Sequence, residues 1–450
     1  MEDSQMTNTT TRRELLKRTG IITLGALTLP PWMPRVALAA EGKTQGDILV
    51  CVFMRGAADG LNLVVPLGDK NYFDARPTLA LAEPKAGKDD AAIALDNFFG
   101  LHPMLKPFKE IFDTGSLAIV HAVGSPDPTH SHFDAMDFME RGTPGEKSIP
   151  TGWIGRHLQT IASNNQSPFR AIGMGTLLQQ SLRGPVSATS LQSIADFHLQ
   201  GDQKKLQSFQ TALASLYAGD SFIEAQGQLT LQTMRDLMKI ASEKYTPSGG
   251  AEYPDTSFGK AMANVAQLIK AHVGLEVACV DLGGWDTHVQ QDTQMPRLID
   301  EFAKSLAAFY ADLHDQMKRI TLVTMTEFGR RVQENTGKGT DHGHGSVMFL
   351  MGGGVNGGKV YGDFPGLNKD NLYGPGDLAI TTDFRDVLGE IVQKRLANAN
   401  LASVFPNYPT FKFRGVFKDY SVAQSTPTQA AQPLVLELPF GIKIPLGAGN

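Results

Sequence analysis

Cysteine is scarce in this chain: 450 residues contain two, Cys51 and Cys279. A disulfide-built scaffold is therefore excluded, and each cysteine sits in an apolar, strand-like run where a buried free thiol is expected. Long hydrophobic runs are missing as well. No segment reaches the roughly 20 apolar residues that a membrane span needs, so no permanent span is expected. Positive charge is not in excess either, with 41 Lys+Arg against 46 Asp+Glu and a net charge of −5, so nucleic acid is not an expected partner. There is no internal repeat of usable period, and the length is ample for a large core.

What is present begins at the N-terminus. Thr11-Arg12-Arg13-Glu14-Leu15-Leu16-Lys17 is a twin-arginine pattern, followed by a mildly apolar stretch from Gly20 to Leu29 and a small-residue cleavage site, Ala37-Leu38-Ala39. Residues 1–39 read as a removed signal, with the twin-arginine export machinery as a partner and a periplasmic or secreted mature protein as the outcome. An uncleaved anchor is the alternative reading. Because that route carries folded proteins, it suits a chain that acquires a cofactor or a chosen metal before export.

Valine- and isoleucine-rich runs bounded by glycine or charge read as buried parallel strands at Ile48–Phe53, Leu117–Val123, Leu275–Asp281, Ile320–Thr326 and Ser346–Met351. Three-to-four apolar spacing predicts helices at Pro103–Thr114, Ser131–Glu140, Thr256–Val273, Gln294–Lys318 and Thr382–Ala397. The alternation predicts an α/β fold with a doubly wound, mostly parallel sheet over residues 40–420. A glutamine-rich helical insertion is expected at about 186–250, helical from Lys204 to Tyr245. Residues 421–450 form a tail with no assigned role, strand-like from Leu434 to Ile444.

Chemistry concentrates between Gly284 and Gly345. Asp286 and His288 share one glycine-flanked cluster, Glu327 and Arg330 a second, and Asp341, His342 and His344 a third; Asp59 follows the first strand. Carboxylates and imidazoles at strand ends hold hard or borderline divalent ions, so one or two ions (zinc, calcium, magnesium or manganese) are expected on Asp59, Asp286, His288, Glu327, Asp341, His342 and His344. Each cluster also has an ordinary reading, since Asp-x-His is commonly a capped turn. The loop Asp341–His344 precedes Ser346–Met351 and would have to fold back to reach the common edge. Ser131 is the expected cap of its helix, with Asp134 three residues on; a serine oxygen there also stands where anions bind. The expected catalytic set is Ser131 as nucleophile, His132 beside it, and Arg55 or Arg330 clamping an oxyanion.

These residues carry a resemblance. Phe53–Asn62, Ser131-His132-Phe133-Asp134, Gly284–His288, Thr326–Arg330 and Asp341-His342-Gly343 resemble a twin-arginine-exported family catalogued as domain of unknown function 1501, over about residues 47–410. That family in turn resembles the alkaline phosphatase and sulfatase superfamily. The resemblance implies an alkaline-phosphatase-like fold and metal-dependent cleavage of phosphate or sulfate esters through a nucleophile at a helix start. It also implies Asp59 as the first-strand ligand and Asp286 and His288 as a ligand pair. The superfamily's strand-end Asp-His-Gly is matched by fold position to Glu327 and by letters to Asp341-His342-Gly343, with His342 or His344 as the late histidine. Asp383 matches an aspartate that starts the last helix. Three departures accompany the match: the Asp286–His288 spacing is short, Phe328 stands where a second-metal histidine is expected, and Cys51-Val52-Phe53-Met54-Arg55 lacks the proline of the sulfatase precursor signature. The alternative to a hydrolase is a non-catalytic periplasmic metal- or anion-binding or assembly protein.

Overall fold

The first strand shows why this chain layers as it does. β1 (Ile48–Met54) is apolar on both faces. Val50, Val52 and Met54 join one core cluster, while Leu49, Cys51 and Phe53 join another on the opposite face. A period-two strand that is apolar on both faces must lie between two covering layers. The computed structural model describes residues 47–85, 90–163, 165, 167–195, 214–218, 222–242, 245–419, 435–438 and 442–445. The signal segment 1–39 and most of the tail lie outside them.

The main sheet continues with β2 (Leu117–Gly124), β3 (Ala171–Met174), β4 (Thr189–Leu191), β5 (Val277–Leu282), β6 (Ile320–Met325), β7 (Ser346–Gly352), β8 (Val360–Tyr361) and β9 (Thr382–Asp383). Its order is β8-β2-β7-β6-β1-β5-β3-β4, with β9 paired to β2. Helices α1 (Lys106–Asp113), α5 (Ser257–Lys270) and α6 (Gln291–Leu313) cover the Val50 face; α2 (His132–Arg141), α3 (Trp153–Thr160) and α7 (Phe384–Lys394) cover the Cys51 face. Between α3 and α5 in sequence lies α4 (Phe222–Ser242). The fold is thus a doubly wound α/β sandwich with a mostly parallel sheet. Cys51 and Cys279 face each other across β1 and β5 as free, buried thiols. Asp383 caps α7 by accepting the Arg385 N–H.

Two expectations change. Ser346–Met351 runs antiparallel to both neighbours rather than parallel. The connection from β6 to β7 contains no helix to carry a crossover, so the chain turns back at the edge it has reached. The helical insertion begins later than residue 186, because β4 belongs to the sheet edge; a helical turn at 214–216 and α4 are among its described parts, and 196–213 lies outside the described residues. Within the tail, Val435–Leu438 and Ile442–Pro445 pair as an antiparallel hairpin. No helix among the described residues is long and apolar enough to cross a membrane.

Candidate metal centre

The reversal of β7 places its N-terminal end at the same edge as the C-terminal ends of β1, β2, β5 and β6. The segment before β7 therefore reaches that edge without folding back. Four loops converge there, carrying Gly56, His132, Asp286 with His288, and Glu327, and the loop into β7 adds His342. Their approach is close. A Cβ on Gly56, whose φ is +115°, would stand 2.6 Å from the Asp286 backbone nitrogen, and one on Gly329 would stand 1.8 Å from the Gly345 carbonyl oxygen.

One imidazole, that of His342, approaches two others. His342 Nε2 lies 2.9 Å from His132 Nε2 and 2.9 Å from His288 Nε2. Asp286 joins them, with Oδ1 3.0 Å from His288 Nε2 and 3.3 Å from His342 Nε2, and Oδ2 3.5 Å from His132 Nε2. Ligand atoms of His132, Asp286 and His342 all lie within 4.8 Å of one another.

The far nitrogen of each ring fixes its tautomer. His132 Nδ1 is 2.7 Å from Glu327 Oε1, His288 Nδ1 is 3.1 Å from Asp341 Oδ1, and His342 Nδ1 is 3.0 Å from the His130 carbonyl. Carboxylate and carbonyl oxygens only accept, so these bonds put a proton on Nδ1; a neutral ring then presents its Nε2 lone pair to the cluster, and a charged ring donates from both nitrogens, Nε2 toward Asp286. Three lone pairs and a carboxylate aimed at one another repel unless a cation or an added proton lies among them. The donor set thus fits a metal ion, in the carboxylate–histidine pattern that orients metal ligands elsewhere.

Electrostatics agree. Burial works against the Asp286 carboxylate, but the Arg330 hydrogen bond and charge, helped by His342 and His288, bring its pKa down to about 2. The His132 pKa is raised, chiefly by its hydrogen bond to Glu327; that of His342 is lowered, chiefly by burial. Asp341 is held below its usual range by hydrogen bonds from Asn335 and His288. Phe328 walls the site, its ring centroid 5.0 Å from those of both His132 and His342.

The other expected residues are placed differently. Glu327 and Asp341 stand behind imidazoles rather than at the focal point, because their oxygens are taken by Nδ1 atoms. Asp59 is buried in a two-pronged ion pair with Arg76 at 2.6 and 3.0 Å and also accepts from Gln291, which leaves it no role as a metal ligand. His344 is buried and stacked on Tyr373 with centroids 4.4 Å apart, and burial takes its pKa down to about 4. Arg330 has no exposed side chain: it donates to the Ala57, Thr340, Gly56 and Trp285 carbonyls and to Asp286, so it braces the loops instead of clamping a substrate. Arg55 pairs with Glu140 and Asp281. Ser131 caps α2, its hydroxyl oxygen accepting the Asp134 N–H at 3.4 Å, and is half-buried beside His132.

Sequence reasoning left His132 out of the candidate ligands, and missed the contacts of Asn335, Gln291, Thr287 and Thr340. Thr287 and Thr340 donate to Gln291 Oε1 at 2.9 and 2.7 Å. No motif marks these contacts, and those of Gln291 with Thr340 and Asp59 join residues far apart in the chain.

Residues 47–392 match the family described as "Protein of unknown function (DUF1501)". No curated protein matches the chain. Solved structures similar to it include the lipoteichoic acid synthase LtaP from Listeria monocytogenes, at 8% identity over 75% of each chain with a TM-score of 0.34. The C-terminal periplasmic domain of EcEptC from Escherichia coli matches at 8% identity over 86% of this chain and 97% of that one, with a TM-score of 0.34. Alkaline phosphatase from the Antarctic bacterium TAB5 matches at 9% identity over 69% and 93%, with a TM-score of 0.27.

Proposed function

Since the chain belongs to the DUF1501 family, whose description assigns no chemistry, we propose from the site itself that this protein is an exported, metal-dependent hydrolase of phosphate or sulfate esters. The observation that carries the proposal is the convergence of three Nε2 lone pairs and the Asp286 carboxylate, each imidazole held by an acceptor on its far side. His132, Asp286, His288 and His342 would hold one divalent ion. Three imidazoles favour zinc or a similar borderline ion over calcium or magnesium. Such an ion supplies a Lewis acid that polarises the ester oxygens. Phe328, standing among the rings, favours one ion rather than two.

The chain's own residues do the rest. Ser131 offers an oxygen at the start of α2, where free backbone N–H groups favour an anion. Its hydroxyl would attack phosphorus or sulfur, the alcohol would leave with a proton, and water would then release the acid anion from the serine. The twin-arginine pattern supports export, with the substrate met outside the cytoplasm.

A second reading, binding without turnover, follows if His288 joins His132, Asp286 and His342 on the ion: four protein ligands close a tetrahedral site, whereas catalytic zinc sites keep a position open. Elemental analysis of protein folded in cells, followed by a panel of aryl phosphates, phosphodiesters and sulfates, decides between them. The hydrolase reading expects near-stoichiometric metal and turnover that Ser131→Ala abolishes while metal content stays. Metal without turnover on any substrate supports the second reading. Less than about a tenth of an equivalent of any divalent metal would sink both, since a structural or catalytic ion is near stoichiometric.

A further inference from the structure

The two cysteines stand together with a methionine. Cys51 of β1 and Cys279 of β5 are register partners on adjacent parallel strands, and both belong with Met325 to the core cluster on one face of the sheet. Cys51 Sγ lies 3.6 Å from Met325 Sδ, at the end of β6, and Cys279 Sγ lies 3.7 Å from Ser181 Oγ. The Cys51 thiol is close enough to add to burial in pushing the Cys279 thiol up. All three sulfur-bearing side chains line one cavity, with about 10 Å³ open to a water-sized sphere, room for a single small species.

Thiols that merely pack a core sit among apolar side chains. This cavity is built otherwise, because its lining also includes Glu140, Gln179, Ser181 and Asp281. Glu140 and Asp281 both pair with Arg55, so two carboxylates share that guanidinium. Of the other lining groups, Trp153 Nε1 and Gln179 Oε1 are buried with no hydrogen-bond partner among the described residues. A dry, purely structural core would avoid that polar lining.

We propose that Cys51, Cys279 and Met325 form a site for one soft monovalent cation, copper(I). Thiolate and thioether sulfurs select soft ions, whereas calcium and magnesium take oxygen and structural zinc takes four ligands. Sulfurs each about 2.3 Å from one ion in a trigonal site stand roughly 4 Å apart. The 3.6 Å between Cys51 and Met325 is thus near ligand spacing, and register brings Cys279 in beside them. Each thiol that ligates gives its proton to solvent as the ion enters. The two carboxylates at the lining favour a cation there. His132, Asp286 and His342 are a different donor set, nitrogen and oxygen, suited to a borderline divalent ion.

The test reads both the amount of copper and the atoms around it. Protein is purified without air from cells grown with added copper, dialysed against a weak chelator, and examined by elemental analysis and by X-ray absorption at the copper edge. The wild type is expected to keep about one equivalent of copper(I), with sulfur neighbours at about 2.3 Å. His342→Ala, which breaks the imidazole cluster, is expected to keep it too. In Cys51→Ala, Cys279→Ala and the volume-conserving Met325→Leu, copper(I) affinity, measured by competition with bicinchoninate, should fall at least about tenfold. Nitrogen or oxygen neighbours in the wild type overturn the site, as does copper that His342→Ala loses and the three sulfur variants keep, because the ion then belongs to the imidazoles. Less than about a tenth of an equivalent in the wild type also overturns it. So does a Cys51–Cys279 disulfide in the protein as isolated, seen by mass spectrometry. The wild-type spectrum is read without any substitution, so a variant that fails to fold leaves the test standing.

Discussion

An imidazole binds a cation only through an unprotonated nitrogen, and here the neighbour of each Nδ1 selects which nitrogen that is. Glu327 does so for His132, and the same hydrogen bond raises the pKa of that ring. His342 lies on the other side, lowered by burial and by Arg330, so it is already neutral when His132 still carries a proton. Metal must therefore displace a proton from His132, and affinity should rise with pH through the ring's raised pKa. Glu327→Gln keeps an acceptor for Nδ1–H but removes the charge. Metal affinity, measured by competition with a chelator, is expected to weaken by about 10–100-fold, the range for residues that orient a ligand. The pH at which binding is half-developed should also shift down, since the group that raised it is gone. An unchanged affinity would remove Glu327 from the site. That residue shows why ligand roles are hard to read from letters: strand position correctly brings Glu327 to the edge, but only the side chains show that His132 stands in front of it.

Among the elements, α6 does more than cover the sheet. Its first residue, Gln291, is 1% exposed and donates to Asp59 at 2.6 Å while accepting the hydroxyls of Thr287 and Thr340. Thr287 lies between Asp286 and His288, and Thr340 precedes Asp341. One amide thus ties together the loop after β1, the loop after β5 and the loop into β7. Gln291→Leu would strand the two buried hydroxyls of Thr287 and Thr340 and take one of several donors from Asp59, and should lower stability by about 1–3 kcal/mol. Urea unfolding with and without bound metal is the informative measurement, because displaced loops should also shrink the extra stability that metal confers. An undiminished metal increment would show that Gln291 serves the fold alone. Elements of this kind differ in how well the sequence reveals them. β1 is legible because Ile48–Met54 has no other stable use than a strand buried on both faces. The direction of β7 is not, since an apolar run reads the same either way and only the helix-free connection before it decides. Asp59 misleads because its true partner, Arg76, lies seventeen residues on in a segment with no motif. The Ser131-His132-Phe133-Asp134 run reads as a helix cap, which it is, and that local sufficiency hides the imidazole that reaches His342.

For the molecule as a whole, the consequence of building a large α/β core around histidines is sensitivity to acid. His102 and His121 are buried and their pKa values fall, by burial first, to about 4; that of His157 falls, by burial and then by Arg170, to about 3. The case of His121 shows the cause in detail. Its Nδ1 accepts the Ala122 N–H at 2.8 Å while Nε2 faces the Val64 carbonyl at 2.9 Å, so one neutral tautomer satisfies both contacts and an added proton on Nδ1 would confront another donor. His344, also down at about 4, adds a fourth such ring. In the unfolded chain these imidazoles take up protons near an ordinary pKa of about 6.5, whereas the folded chain resists until about 4 or below. Their contribution to stability is therefore complete above about pH 6.5 and is lost as pH falls toward 4, each ring costing up to about 1.4 kcal/mol per pH unit in that window. His132 has the opposite sign in metal-free protein, its raised pKa favouring the folded state on the acid side, but it is one ring against four. The melting temperature of chelator-treated protein is thus expected to be nearly level from pH 8 to 7 and to drop steeply from about 6.5 downward. Bound metal should steepen the acid limb further, because protons then compete for the ligands as well. A metal-free melting temperature that stays flat between about pH 6.5 and 5 would mean that these rings are solvated or protonated in the folded state, which their burial forbids.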